Sequence, residues 1–217
     1  MTYLDMATVR RVARRERGVP HPVVAERVAS ARAAVRMFGD DPSGANPVPS
    51  DPHGVTPMPV QVAVCGPRDC TDAEACAAYE VGRLLAGRGA VVICGGYTGV
   101  MAAVASGARS AGGTVVGVLS GRTREDASPD LSIVLPTGLG EARNAVIVRS
   151  ADAVIVVGGS WGTLSELALA RRRGDVPVLT LGGWRITDAD GRPIPGIEPV
   201  EGPAEAVERA LEASAPR

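Results

Sequence analysis

From Val60 onward the chain alternates between two patterns, and this alternation constrains its fold more than any other feature. Six short apolar runs, Val60–Cys65, Ala90–Cys94, Thr114–Leu119, Leu131–Leu135, Ala153–Val157 and Pro177–Leu181, are rich in β-branched residues. Such runs suit strands buried on both faces. Between or after them lie stretches with helical character: Asp72–Arg88, Val100–Ala111, Gly140–Ser150, Trp161–Arg172 and Pro203–Ala213. The pattern predicts an α/β fold, a Rossmann-like parallel sheet with helices on both faces. Right-handed crossovers then put every strand C-terminus on one edge, where open α/β sheets bind ligands.

Residues 1–58 read differently, as an N-terminal helical arm and a Pro/Gly-rich linker ahead of a domain over 59–217. Met6–Arg17 carries five arginines and one glutamate. Val24, Val28, Ala31, Val35 and Phe38 follow helical spacing. Asp40–Pro59 is rich in Pro, Gly, Ser and Asp. The basic stretch reads as a solvated helix face, with an acidic partner or nucleic acid as the alternative. A length of 217 residues suits one α/β domain with such an extension.

Composition excludes several kinds of chemistry. The chain has no lysine. A Schiff base to pyridoxal phosphate is therefore excluded, and with it a decarboxylase of that kind; a Walker A phosphate loop lacks its lysine too. His21 and His53 both precede the α/β region, so a Ser-His-Asp device needs the arm folded over the site. Cys65, Cys70, Cys76 and Cys94 do not have zinc-site spacing, and no metal site is expected. Cys65 and Cys94 read as small buried residues at strand ends. A net charge of −1 argues against nucleic-acid binding driven by phosphate neutralisation. No apolar stretch reaches the ~20 residues of a membrane span, and the N-terminus has no signal-peptide pattern, so a cytoplasmic chain is the expectation.

Four strand-end turns carry the candidate chemistry. The most specific is Gly158-Gly159-Ser160-Trp161-Gly162-Thr163-Leu164-Ser165-Glu166, which follows an apolar strand and opens a helix. Free N–H groups and the positive end of the helix dipole there form an anion pocket. Ser160 and Thr163 add hydroxyls, which serve equally as helix caps. Glu166 lies one turn into the helix, where a carboxylate serves the ordinary charge preference of a helix N-terminus or faces the crevice beside a bound phosphate. The second turn, Gly95-Gly96-Tyr97-Thr98-Gly99, lets the backbone approach a ligand or simply makes a tight turn. Arg143 and Asn144 follow Thr137-Gly138-Leu139-Gly140 on the next helix, where an arginine can grip a phosphate or form a surface ion pair. In Cys65-Gly66-Pro67-Arg68, Pro67 removes an N–H, and Arg68 reads either as a ligand contact or as an exposed arginine.

The pair Gly95–Met101 and Gly158–Glu166 resembles the LOG family, whose members are often mislabelled lysine decarboxylases. The family is known for phosphoribohydrolases that activate cytokinins by cleaving the N-glycosidic bond of a nucleoside 5′-monophosphate. Its hallmark is P-G-G-x-G-T-x-x-E, preceded on the earlier helix by an Arg-Lys pair. The resemblance covers roughly Val60 to Leu181 and leaves out the arm. It implies Arg143 and Glu166 at the catalytic positions. It implies Gly158, Gly159, Gly162 and Thr163 at the phosphate loop; the turns themselves add Gly95, Gly96, Thr98, Gly99, Asn144 and Ser160 as candidate ligand contacts. Val157 stands at the hallmark proline and Asn144 at its lysine. The wording of Thr137–Asn144 and Val157–Glu166 is nearer a sister group that includes molybdenum-cofactor carrier proteins. Two functions are therefore expected: hydrolysis of a nucleoside monophosphate with no cofactor required, or carriage of a phosphorylated pterin such as the molybdenum cofactor as cargo. The resemblance also implies a homodimer or higher homo-oligomer.

Overall fold

The computed structural model describes residues 58–214. The arm expected over 1–58 lies almost entirely outside the described residues. Seven strands form one parallel sheet: β1 Gln61–Cys65, β2 Val91–Cys94, β3 Val115–Leu119, β4 Ile133–Pro136, β5 Ala153–Val157, β6 Val178–Leu181 and β7 Glu198–Val200. Their spatial order is β4-β3-β2-β1-β5-β6-β7. The chain winds outward from β1 in one direction, then returns to place β5 on the other side of β1. Between β1 and β5 the winding reverses, which leaves a crevice at their C-terminal ends.

Five α-helices cover the sheet: α1 Asp72–Gly87, α2 Val100–Ser110, α3 Asn144–Arg149, α4 Trp161–Arg173 and α5 Pro203–Ala213. Alternation along β1 sets the layers. Val62 and Val64 point to a core shared with α1, α2 and α5, whereas Ala63 and Cys65 point to a core shared with α3 and α4. The parallel sheet with helices on both faces is as the sequence predicts. Thr71 caps α1 by accepting from the Glu74 backbone N–H, while the Glu74 carboxylate accepts from the Thr71 N–H at 2.8 Å. Where α1 crosses α2 there is no room for side chains. A Cβ on Gly82 would sit 2.1 Å from the Val104 carbonyl oxygen, and one on Gly107 would sit 1.9 Å from that of Tyr79.

Three local expectations need correction. The run predicted as a strand over Leu131–Leu135 pairs only from Ile133, at the sheet edge, where Ile133 and Leu135 remain exposed. It is not buried on both faces: Ile133 and Leu135, two residues apart, share one exposed face. The predicted helix Gly140–Ser150 is divided into a 3-10 turn, Gly140–Arg143, and α3. Gly140 enters that turn at φ 57°, outside the helical region. Strand β7 was not predicted, since Glu198-Pro199-Val200 has neither an apolar run nor an alternation of useful length. No helix among the described residues is long and apolar enough to cross a membrane.

Candidate functional site

Five polar or charged residues are buried among the described residues, and four of them line one cleft: Arg143, Asn144, Thr163 and Glu166. The cleft has a volume of about 440 Å³ and opens at the crevice between β1 and β5. The turn after β1 supplies Gly66, Pro67, Arg68 and Asp69; α2 supplies Met101, and the 3-10 turn supplies Glu141 and Arg143. The turn after β5 supplies Gly159 and Ser160, and α4 supplies Gly162, Thr163 and Glu166. A larger hollow, about 660 Å³, lies at the ends of β6 and β7 under the 182–197 loop. None of the buried polar residues lines it, whereas four of the five line the smaller cleft.

Arg143 and Glu166 are the centre of this arrangement. Their nearest atoms, Arg143 Nη1 and Glu166 Oε1, are 3.6 Å apart, an ion pair too long for a hydrogen bond. Arg143 Nε and Nη1 are buried and have no hydrogen-bond partner among the described residues. Such donors are costly to leave unmade, and they are available to an anionic ligand. Burial pushes the Glu166 carboxyl up to about 7, against the lowering pull of Arg143 and of a hydrogen bond with the Cys65 thiol. Burial and the neighbouring Glu166 push the Cys65 thiol well above its ordinary range, and burial pushes Cys94 up to about 11. Neither thiol is a ready nucleophile near neutral pH, in keeping with their reading as small buried residues.

The turn into α4 is organised around its own cap. Ser160 Oγ accepts from the Thr163 N–H at 3.2 Å and lies 2.9 Å from Thr163 Oγ1. The two hydroxyls are therefore paired with each other. The backbone N–H groups of Gly159, Ser160, Trp161 and Gly162 have no acceptor among the described residues. Together they present donors at the positive end of the α4 dipole. Asn144 donates to Ser165 Oγ at 2.7 Å, so its amide ties α3 to α4 at the cleft wall.

The other glycine turn has a different place from the one expected. Gly95, Gly96, Thr98 and Gly99 do not line the cleft, and neither does Gly158. Gly95 instead leaves room for the arginine: a Cβ there would lie 2.6 Å from Arg143 Nη1 and 2.5 Å from Met101 Sδ. Gly158, at φ 69°, passes so close to Glu74 that a Cβ would lie 2.1 Å from its carboxylate oxygen. Arg68, Asp69, Glu141, Met101 and Ser120 join the cleft, and of these the sequence pointed only to Arg68. The hallmark register also shifts. Two residues, Ser160 and Trp161, separate the glycine pair from Gly162, so counting back from Gly162 puts the hallmark proline at Gly158 and its second glycine at Ser160. No group of three or more His, Cys, Asp or Glu among the described residues is placed to hold a metal ion.

Residues 59–194 match the model of the SLOG cluster4 family. The chain belongs to that family. An uncharacterized protein of Archaeoglobus fulgidus is 44% identical over 115 residues, which is 53% of this chain and 76% of that protein. A cytokinin riboside 5′-monophosphate phosphoribohydrolase of Mycobacterium tuberculosis is 37% identical over 115 residues, 49% of this chain and 62% of that enzyme. Among solved structures, the molybdenum cofactor binding protein of Rippkaea orientalis superposes with a TM-score of 0.65 at 30% identity, covering 72% of this chain and 98% of that one. The molybdenum cofactor carrier protein of Chlamydomonas reinhardtii gives a TM-score of 0.63 at 28% identity, covering 73% and 100%. DNA processing protein A of Streptococcus pneumoniae, at 21% identity and a TM-score of 0.55, shares the fold alone. The LOG-type family and Rossmann-like fold expected from the paired glycine motifs are thus those of this SLOG protein.

Proposed function

We propose that the cleft binds a phosphorylated, nucleotide-like small molecule and hydrolyses its N-glycosidic bond. The observation that carries this reading is the buried Arg143–Glu166 pair, with two unpartnered guanidinium donors beside a carboxyl near 7. The free N–H groups from Gly159 to Gly162 hold the 5′-phosphate at the α4 dipole. Glu166 stands beside the anomeric carbon. As the bond from carbon to base nitrogen breaks, positive charge grows on the ribose, and the Glu166 carboxylate stabilises it. The same carboxylate takes the proton of the incoming water, and the departing base gains a proton, leaving ribose 5-phosphate and free base. Arg143 orients the carboxylate, opposes the burial that favours its protonated form and contacts the bound anion. The 37% identity to an enzyme named for this chemistry supports the assignment.

The test is ribose 5-phosphate release from a panel of nucleoside monophosphates. Glu166→Ala should lower turnover by roughly 10²–10⁴-fold. Full turnover in that variant overturns the assignment. Because the ionised form of Glu166 is the working one, kcat/KM should fall as pH drops below about 7.

Asn144 favours a second reading, a non-catalytic carrier of a phosphorylated cargo such as the molybdenum cofactor. It replaces the hallmark lysine with a neutral side chain, and its amide is already engaged with Ser165. The likeness to proteins named as molybdenum cofactor carriers supports this alternative. Native mass spectrometry of freshly purified protein discriminates: a retained pterin favours the carrier, whereas an empty cleft with hydrolytic activity favours the enzyme.

A further inference from the structure

The glycine turn after β2 lines no part of the cleft, yet it touches both arginines that do. The Arg68 guanidinium lies 4.0 Å from the centroid of the Tyr97 ring, and that of Arg143 lies 5.8 Å from the same centroid. Each is within cation–π range of one aromatic ring. The ring is anchored at its far end. The Tyr97 hydroxyl accepts backbone N–H bonds from Ser120 at 3.0 Å and Gly121 at 3.1 Å, and it lies 2.9 Å from Ser120 Oγ.

The Arg68 backbone is held as well. Val100 N–H donates to the Pro67 carbonyl at 3.0 Å. Gly99, at φ 66°, packs so closely that a Cβ would lie 2.1 Å from the Arg68 carbonyl oxygen. Arg68 thus has a fixed main chain and a stacked side chain at the mouth of the cleft. Its guanidinium has no ion pair or hydrogen bond among the described residues, which leaves its donors free. The buried and unpartnered Nε and Nη1 of Arg143 lie in the same cleft. Asp69, Glu141 and Glu166 are the carboxylates that line it.

We propose that Arg68, held on the Tyr97 ring, is a ligand-binding residue that grips the phosphate of the bound molecule and supplies the cation that Asn144 does not. The Gly95–Gly99 turn is then an arginine holder rather than a second phosphate loop. Gly95 makes room for Arg143, Tyr97 carries both guanidiniums, and Gly99 clamps the backbone of Arg68. An arginine suits this role because its planar fork can stack on an aromatic ring and still offer paired donors to a phosphate. This inference rests on the reading of the cleft as a site for a phosphorylated ligand.

Calorimetric titration of the full chain with AMP, with adenosine and with ribose 5-phosphate tests it. Arg68→Ala should weaken AMP binding at least about tenfold and change adenosine binding less than about twofold, since only AMP carries the phosphate. Arg68→Lys should fall between, because it keeps the charge and loses the fork. Arg124→Ala, at an exposed arginine that does not line the cleft, should leave the AMP and adenosine affinities unchanged. If Arg68→Ala binds AMP as tightly as the wild type, or if Arg124→Ala loses as much, the assignment of Arg68 is overturned while the cleft's function stands. If the wild-type protein binds neither AMP nor ribose 5-phosphate, the proposed function itself fails, and the role of Arg68 with it.

Discussion

A space left empty is what lets Arg143 reach Glu166. The Cβ that Gly95 lacks would collide with Arg143 Nη1 and Met101 Sδ, both ends of flexible side chains that can swing away. Gly95→Ala should therefore cost no more than about 1–3 kcal/mol of stability. It should nevertheless weaken AMP binding by displacing the guanidinium, and a variant that keeps full affinity would contradict this seating of Arg143. Glu166 gives a second prediction at this scale. It holds its proton more tightly in the folded chain, at about 7, than at its ordinary value of 4.5. Its contribution to stability is fully present below that ordinary value and is lost as pH rises through 7. Glu166→Gln removes the titration, so wild type should lose about 1.4 kcal/mol per pH unit relative to the variant across that window. Urea unfolding of both proteins at several pH values measures the difference, and a difference that does not change with pH would contradict a buried, titrating Glu166. Glu166 and Arg143 were legible as a pair only through the family resemblance. The role of Gly95 was not legible at all, since it depends on which side chain, distant in sequence, fills the space beside it.

The elements that position the site owe their register to close helix packing on a buried sheet. α1 and α2 meet backbone to backbone at Gly82 and Gly107, and no side chain there can rotate out of the way. Gly107→Ala would press a methyl group on the Tyr79 carbonyl and should destabilise the protein by about 2 kcal/mol or more, read as a lower urea midpoint. An unchanged midpoint would mean that the two helices are free to separate. Most of these elements could be read from sequence, because strands buried on both faces write themselves as apolar runs. Ala153–Val157 and its glycine turn are the clearest case. β4 and β7 were harder, because edge strands are only half covered and carry weaker patterns: Ile133 and Leu135 stay exposed, and Glu198-Pro199-Val200 holds one core residue. The change from 3-10 turn to α-helix between Arg143 and Asn144 is a backbone decision, and helical periodicity does not register it.

For the molecule as a whole, the reversal of winding between β1 and β5 gathers the chemistry. Turns from distant parts of the sequence bring Arg68, Arg143, the α4 N-terminus and Glu166 to one cleft, while the larger hollow under the 182–197 loop gathers none of the buried polar residues. That the site lies on the C-terminal edge of the sheet was legible from strand–helix alternation alone. Which glycine turn borders the cleft and which one packs against the arginines was not, because both present the same glycine-rich face in sequence. The central claim is that a phosphorylated ligand sits in this cleft with its phosphate on the α4 N-terminus. The most direct measurement is a crystal structure of the protein with AMP or ribose 5-phosphate. It should show the phosphate within hydrogen-bonding distance of the N–H groups between Gly159 and Gly162 and of an arginine of the cleft. A phosphate bound in the hollow beside Trp184, or a cleft left empty at saturating ligand, would contradict the account.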